Sequence, residues 1–203
     1  MPNYFEFEVA LCEIRPRIWR RFLLRNTAVF YELHKAIHDS CGWWNYHLFV
    51  FRDANKRDPK VLAAIPSDED LECYGMPVPD ARRRKLSSYF GEGKADSALY
   101  EYDFGDGWQH EVKLVRMVEE AGTFKRRLLA GERAFPHEDC GGIGGYLRCV
   151  EFLKTGKDSL EDDPEGLRTW LGGWEPERFD LAETRKYFDT GRHAPIPGEP
   201  NQA

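Results

Sequence analysis

A glycine-rich turn, Gly105-Asp106-Gly107, lies between two runs with a strand-like alternation, Ser97 to Phe104 and Trp108 to Val118. Such an arrangement predicts an antiparallel hairpin. Loop length then decides which side chains share a face, because successive strand residues point to opposite sides. A two-residue loop, either Gly105-Asp106 or Asp106-Gly107, puts Glu101, Asp103, Trp108 and His110 on one face. A carboxylate would then stand opposite an imidazole and raise its pKa. A three-residue loop reverses the parity and separates them.

Other segments have equally local signals. Phe5, Phe7, Val9 and Leu11 alternate with Glu6, Glu8 and Ala10, which predicts a half-buried strand. Arg15-Pro16 interrupts it, and Ile18 to Leu24 returns as its hairpin partner. A helix is expected from an N-cap at Thr27 to about Ser40, stopped by Gly42, with Phe30, Leu33, His34, Ile37 and Cys41 on one face. In this arrangement His34 is a core histidine and His38 a solvated edge residue. Tyr46 to Arg52 reads as a strand, residues 53–85 as a long irregular connection, and Leu86 to Phe90 as a short helical turn. Phe124 to Leu129 reads as another strand. Helices are expected over Gly145 to Lys154, from the Asp163-Pro164 cap pair to Leu171, and from an Asp180 cap to Asp189. The prediction is a single α+β domain over residues 1–190: a strand-rich core, a packing helix after the first hairpin and a helical C-terminal third. The proline-rich residues 191–203 read as a disordered tail.

Composition limits the function classes. The chain has 203 residues, 41% of them hydrophobic, with a net charge of −6, which suits a globular protein whose average field repels nucleic acid. Basic runs do occur, from Arg15 to Arg25, at Arg82-Arg83-Arg84-Lys85 and at Lys125-Arg126-Arg127, so a nucleic-acid or protein partner stays compatible. Five scattered cysteines without a C-x-x-C pair argue against a disulfide framework or a zinc ribbon. No apolar run approaches a membrane span and the N-terminus lacks a signal-peptide layout, so a cytoplasmic location without membrane association is expected. The oligomeric state is left open.

Five ordered blocks carry a resemblance. They are Pro16-Arg17-Ile18-Trp19-Arg20-Arg21, Leu33-His34-Lys35-Ala36-Ile37, Gly42-Trp43-Trp44-Asn45-Tyr46-His47-Leu48, Tyr102 through His110, and Glu138-Asp139-Cys140-Gly141-Gly142 with Gly145-Tyr146. Together they resemble the plasmid pRiA4b ORF-3 family, a bacterial-type family met in plasmids and other mobile-element settings. The resemblance implies a compact α+β fold and no established activity. Family members often read Cys-Pro-Pro-Glu-Asp-Cys where this chain has Phe135-Pro136-His137-Glu138-Asp139-Cys140, and their upstream cysteine falls at Leu128. A cysteine-based metal site is therefore not expected in this segment.

The chemistry of the blocks allows several readings. Asp103, His110, Glu138 and Asp139 are the catalytic candidates, as an acid/base pair or a mixed oxygen/nitrogen site for a divalent metal in a hydrolase. Glu101, Tyr102, Asp106, Trp108, Trp43, His47, Gly141 and Gly142 are the ligand-binding candidates of a polar cleft. The aromatics could stack on a planar ligand or base, and the glycines could form an anion nest before a helix. Core packing and turn geometry explain the same residues without any ligand. Three functions follow: an accessory ligand-binding module for a nucleic acid, nucleotide or protein; a metal-assisted or acid/base hydrolase; or a structural interaction module.

Overall fold

The computed structural model describes residues 3–54, 59–67, 78–160 and 163–191. Seven antiparallel strands form one sheet: β1 (Asn3–Leu11), β2 (Trp19–Arg25), β3 (Phe49–Asp53), β4 (Val61–Ala64), β5 (Ser97–Tyr102), β6 (Trp108–Glu119) and β7 (Arg126–Glu132), in the order β4-β3-β5-β6-β1-β2-β7. Helix α1 (Phe30–Cys41) follows the first hairpin, and α2 (Gly142–Thr155), α3 (Pro164–Leu171) and α4 (Leu181–Phe188) form the C-terminal part. The expected α+β architecture is therefore present.

The alternation in β1 sets the two faces. Phe5, Phe7, Val9 and Leu11 join the main core with Phe22, Leu24, Val112, Tyr100 and Tyr102, against Phe30, Leu33 and Ile37 of α1 and Phe188 of α4. Each such side chain taken fully from water contributes roughly 1.5–3 kcal/mol. Glu6 and Glu8 point the other way, where Arg116 holds Glu6 at 2.7 Å and Arg21 holds Glu8 at 2.6 Å. Both edges are covered. Leu128 in β7 donates its N–H to Asp189 Oδ1 at 2.8 Å and accepts from Arg185 Nε at 2.7 Å. At β4, Ala64 exchanges backbone bonds with Pro79 and Ala81.

Several boundaries differ from expectation for local reasons. Helix α1 is capped at Val29 rather than Thr27, because Glu32 reaches back to accept the Val29 N–H at 3.0 Å. Strand β4 lies inside the stretch expected to be irregular; four residues are too few for a period to register. Residues 55–58 and 68–77 of that stretch, and the expected tail at 192–203, lie outside the described residues. Helix α2 begins three residues early and absorbs the glycine run. His38 is buried, not solvated, with Nε2 3.0 Å from the Tyr100 hydroxyl. No described helix is long and apolar enough to cross a membrane.

Candidate functional site

The β5–β6 loop settles the parity question. Tyr102 pairs with Trp108 and Tyr100 with His110, so the loop is the five residues Asp103 to Gly107. An odd loop puts Tyr100, Tyr102, Trp108 and His110 on the core face and Glu101 on the opposite face. Glu101 stands 3.6 Å from Arg52 there. His110 is 0% exposed, packed among Tyr100, Trp43 and Phe135. Burial lowers its pKa to about 4, so it is neutral at pH 7, although the nearby Tyr100 and Trp108 carbonyls favour the proton. Neither ring nitrogen reaches hydrogen-bond geometry with a described group. The expected pairing of His110 with Glu101 or Asp103 is not formed, and His110 lies apart from the two blocks' acids.

A different histidine meets the acids. His47 Nε2 lies 2.6 Å from Asp139 Oδ1 and 3.6 Å from Asp103 Oδ2, and one donor atom from each of the three falls within 4.8 Å of the others. Three chain segments converge at this cluster: the loop after α1, the β5–β6 turn and the segment before α2. Asp103, Asn45 and Asp139 all have left-handed backbone, at φ 54°, 63° and 62°. Non-glycine residues adopt this conformation rarely, and it concentrates at functional sites.

Hydrogen bonds hold each segment. Asp103 Oδ1 accepts the N–H groups of Gly105 at 3.0 Å and Asp106 at 3.3 Å, while its own N–H donates to Leu48. Asp103 is only 7% exposed. Glu138 accepts from the Tyr102 hydroxyl through Oε1 and from the Trp44 N–H at 2.6 Å through Oε2. The same hydroxyl accepts the His47 N–H at 3.2 Å. Burial first, and the Glu138 carboxylate second, push the Tyr102 pKa well up, so the phenol keeps its proton. The Trp43 indole donates to the Pro136 carbonyl at 2.8 Å. Below, Asn45 Oδ1 lies 2.8 Å from His34 Nε2, and His34 Nδ1 lies 2.8 Å from the Tyr100 hydroxyl. His34 is neutral, its pKa lowered by burial to about 3.

The remaining candidates have structural partners. Asp106 Oδ2 accepts the Gly141 N–H at 3.1 Å, which occupies a group expected to help form an anion nest. Gly142, at φ 64°, lets the two blocks touch: a Cβ there would lie 2.5 Å from the Asp106 carbonyl oxygen. Trp43 and Trp108 are buried core side chains rather than cleft surfaces. Burial, with Cys149 and Asp106 nearby, pushes the Cys140 thiol up to about 12, so it is no thiolate nucleophile at neutral pH. The sequence marks His47 as a ligand-binding candidate beside the tryptophans, but not as the partner of the two aspartates. Its place on the block carrying the two tryptophans was the available signal.

The chain is thus an α+β protein in which two aspartates and one imidazole cluster beside an antiparallel sheet. The family described as Plasmid pRiA4b ORF-3-like protein matches residues 3–183, and the chain belongs to this family. It is 36% identical over 165 residues to "Uncharacterized protein y4hQ" of Sinorhizobium fredii (strain NBRC 101917 / NGR234), covering 81% of this chain and 79% of that one. It is also similar to the crystal structure of "Protein of Unknown Function MM3350" from Methanosarcina mazei Go1, with a TM-score of 0.75 and 33% identity over 90% of this chain and 98% of that one.

Proposed function

We propose that the protein is an accessory ligand-binding module whose cleft, formed by His47, Asp103 and Asp139, recognises a positively charged ligand. The carrying observation is the convergence of these side chains from three segments, each with left-handed backbone nearby. The surroundings favour a cation over a phosphate backbone. Asp106 and Glu138 add carboxylates next to the cluster, and like charge opposes an anion. Several arginines of the basic runs already have acid partners: Arg17 and Arg21 with Glu8, Arg82 with Asp80, Arg126 with Asp39 and Arg127 with Glu120. Arg20 is buried and donates to the Ser40 carbonyl.

A thermal-shift panel of organic cations, divalent metals, nucleotides and short DNA tests this reading. A ligand at 100 times its Kd stabilises by about 2.7 kcal/mol, a rise of about 5–10 °C for a domain of this size. A cationic member should give the shift, and Asp103→Asn should abolish it. A shift with nucleotides or DNA alone would refute the cation reading.

A further inference from the structure

We infer that the cleft holds a divalent first-row metal ion between His47 Nε2, Asp103 Oδ2 and Asp139 Oδ1. This rests on the cleft reading above and names its ligand. Bonds of about 2.1 Å to a nitrogen and two carboxylate oxygens put neighbouring donors roughly 3.0–3.5 Å apart. His47 Nε2 and Asp103 Oδ2 stand at 3.6 Å, close to that span, and His47 Nε2 and Asp139 Oδ1 at 2.6 Å, somewhat inside it. The Asp139 side chain is 60% exposed, so the small outward move it needs meets little packing.

A second observation is independent of this spacing. Asp103 is more than nine-tenths buried, and its two oxygens are used differently. Oδ1 is committed to the turn N–H groups. Oδ2 points into the cluster, where its ion-pair partner at 3.6 Å is beyond normal hydrogen-bond length. A carboxylate on a 7% exposed residue, with one oxygen held by the turn and the other facing an imidazole, suits a cation as a further partner.

The donor set selects the class. One imidazole favours zinc, iron or nickel over calcium, and two carboxylates favour manganese over the thiolate-loving ions. The described cysteines contribute no donor to the cluster. Three protein donors leave further coordination positions on the solvent side, where His47 and Asp139 are accessible. Hydrogen bonds already hold the loop that would present the imidazole to the metal. The Tyr102 hydroxyl holds the His47 N–H, and Glu138 holds that hydroxyl together with the Trp44 N–H, fixing the loop that presents the imidazole.

Isothermal titration of MnCl2 and ZnCl2 into chelator-treated full-length protein tests the inference, with spermidine as the organic cation. His47→Ala, Asp103→Asn and Asp139→Asn are compared with wild type after circular dichroism confirms their fold. Asparagine keeps an oxygen for the turn at position 103 and tolerates the left-handed backbone at 139. One-to-one metal binding, weakened at least about tenfold in each folded variant, is the expected result. Metal binding unchanged in all three variants would overturn the site. Spermidine binding that depends on Asp103, without metal binding, would overturn the metal and leave the cleft reading standing. No binding of either kind would overturn both.

Discussion

Replacing Gly142 with alanine tests whether the two polar blocks are joined as described. The glycine sits at φ 64°, where an L-residue costs roughly 1–2 kcal/mol. Its added Cβ would also lie 2.5 Å from the Asp106 carbonyl oxygen, a backbone atom that cannot swing aside. Relieving such an overlap costs typically about 1–3 kcal/mol. Reduced freedom of the unfolded chain returns about 0.4–1 kcal/mol. The net is a destabilisation of about 1–5 kcal/mol, or a fall in Tm of roughly 2–18 °C for a domain of this size. Gly144→Ala is the control. Two residues along in the same helix, its Cβ would meet nothing within 4 Å, and there the helix propensity of alanine should stabilise by about 0.5–1 kcal/mol. Urea denaturation followed by circular dichroism measures both. If Gly142→Ala unfolds within about 0.5 kcal/mol of wild type, the Asp106–Gly142 approach is not as described.

Other contacts carry three more predictions. His110 has its pKa lowered from 6.5 to about 4, so its contribution is present above about pH 6.5 and is lost as pH falls toward 4, because the unfolded chain takes the proton first. His110→Leu should therefore reduce the loss of stability between pH 7 and pH 4.5, by up to about 3 kcal/mol, in urea titrations at the two pH values; an unchanged pH dependence would count against a neutral buried imidazole. Tyr102→Phe leaves the His47 N–H and Glu138 short of a partner, which should cost about 1–3 kcal/mol and weaken cleft ligands roughly 10–100-fold, and wild-type affinity by titration calorimetry would contradict the support role. Asp189→Ala with Arg185→Ala uncovers the β7 edge at Leu128 and should lower stability by about 1–3 kcal/mol and raise aggregation on light scattering, whereas a monodisperse, equally stable variant would show the edge is protected otherwise.

Much of the fold was legible because its signals are local. The Phe5-to-Leu11 alternation, the Gly42 stop and the Asp163 and Asp180 caps each act within a few residues, and each sits where expected. The site was only half legible. That Asp103 and Asp139 belong to segments that meet could be read from the two blocks, but which histidine joins them depended on whether the loop length is odd or even. Five residues rather than two turn His110 into the core and leave the position to His47, which approaches from the loop after α1. Nothing local in the sequence encodes that approach. It is set by Asn45 bonded to His34, Trp43 to Pro136 and Trp44 to Glu138, contacts spanning 11 to 94 positions. His38 differs for a related reason: its place at the edge of the apolar face suggested water, whereas Tyr100 of the sheet supplies a buried partner.

The convergence of His47, Asp103 and Asp139 is tested most directly by a crystal structure of the full-length protein soaked in Mn2+, with the metal located by anomalous scattering. An anomalous peak within about 2.0–2.5 Å of His47 Nε2, Asp103 Oδ2 and Asp139 Oδ1 is the predicted result. A peak at His34 and His38, or His47 turned away from both aspartates in a metal-free cleft, would contradict it.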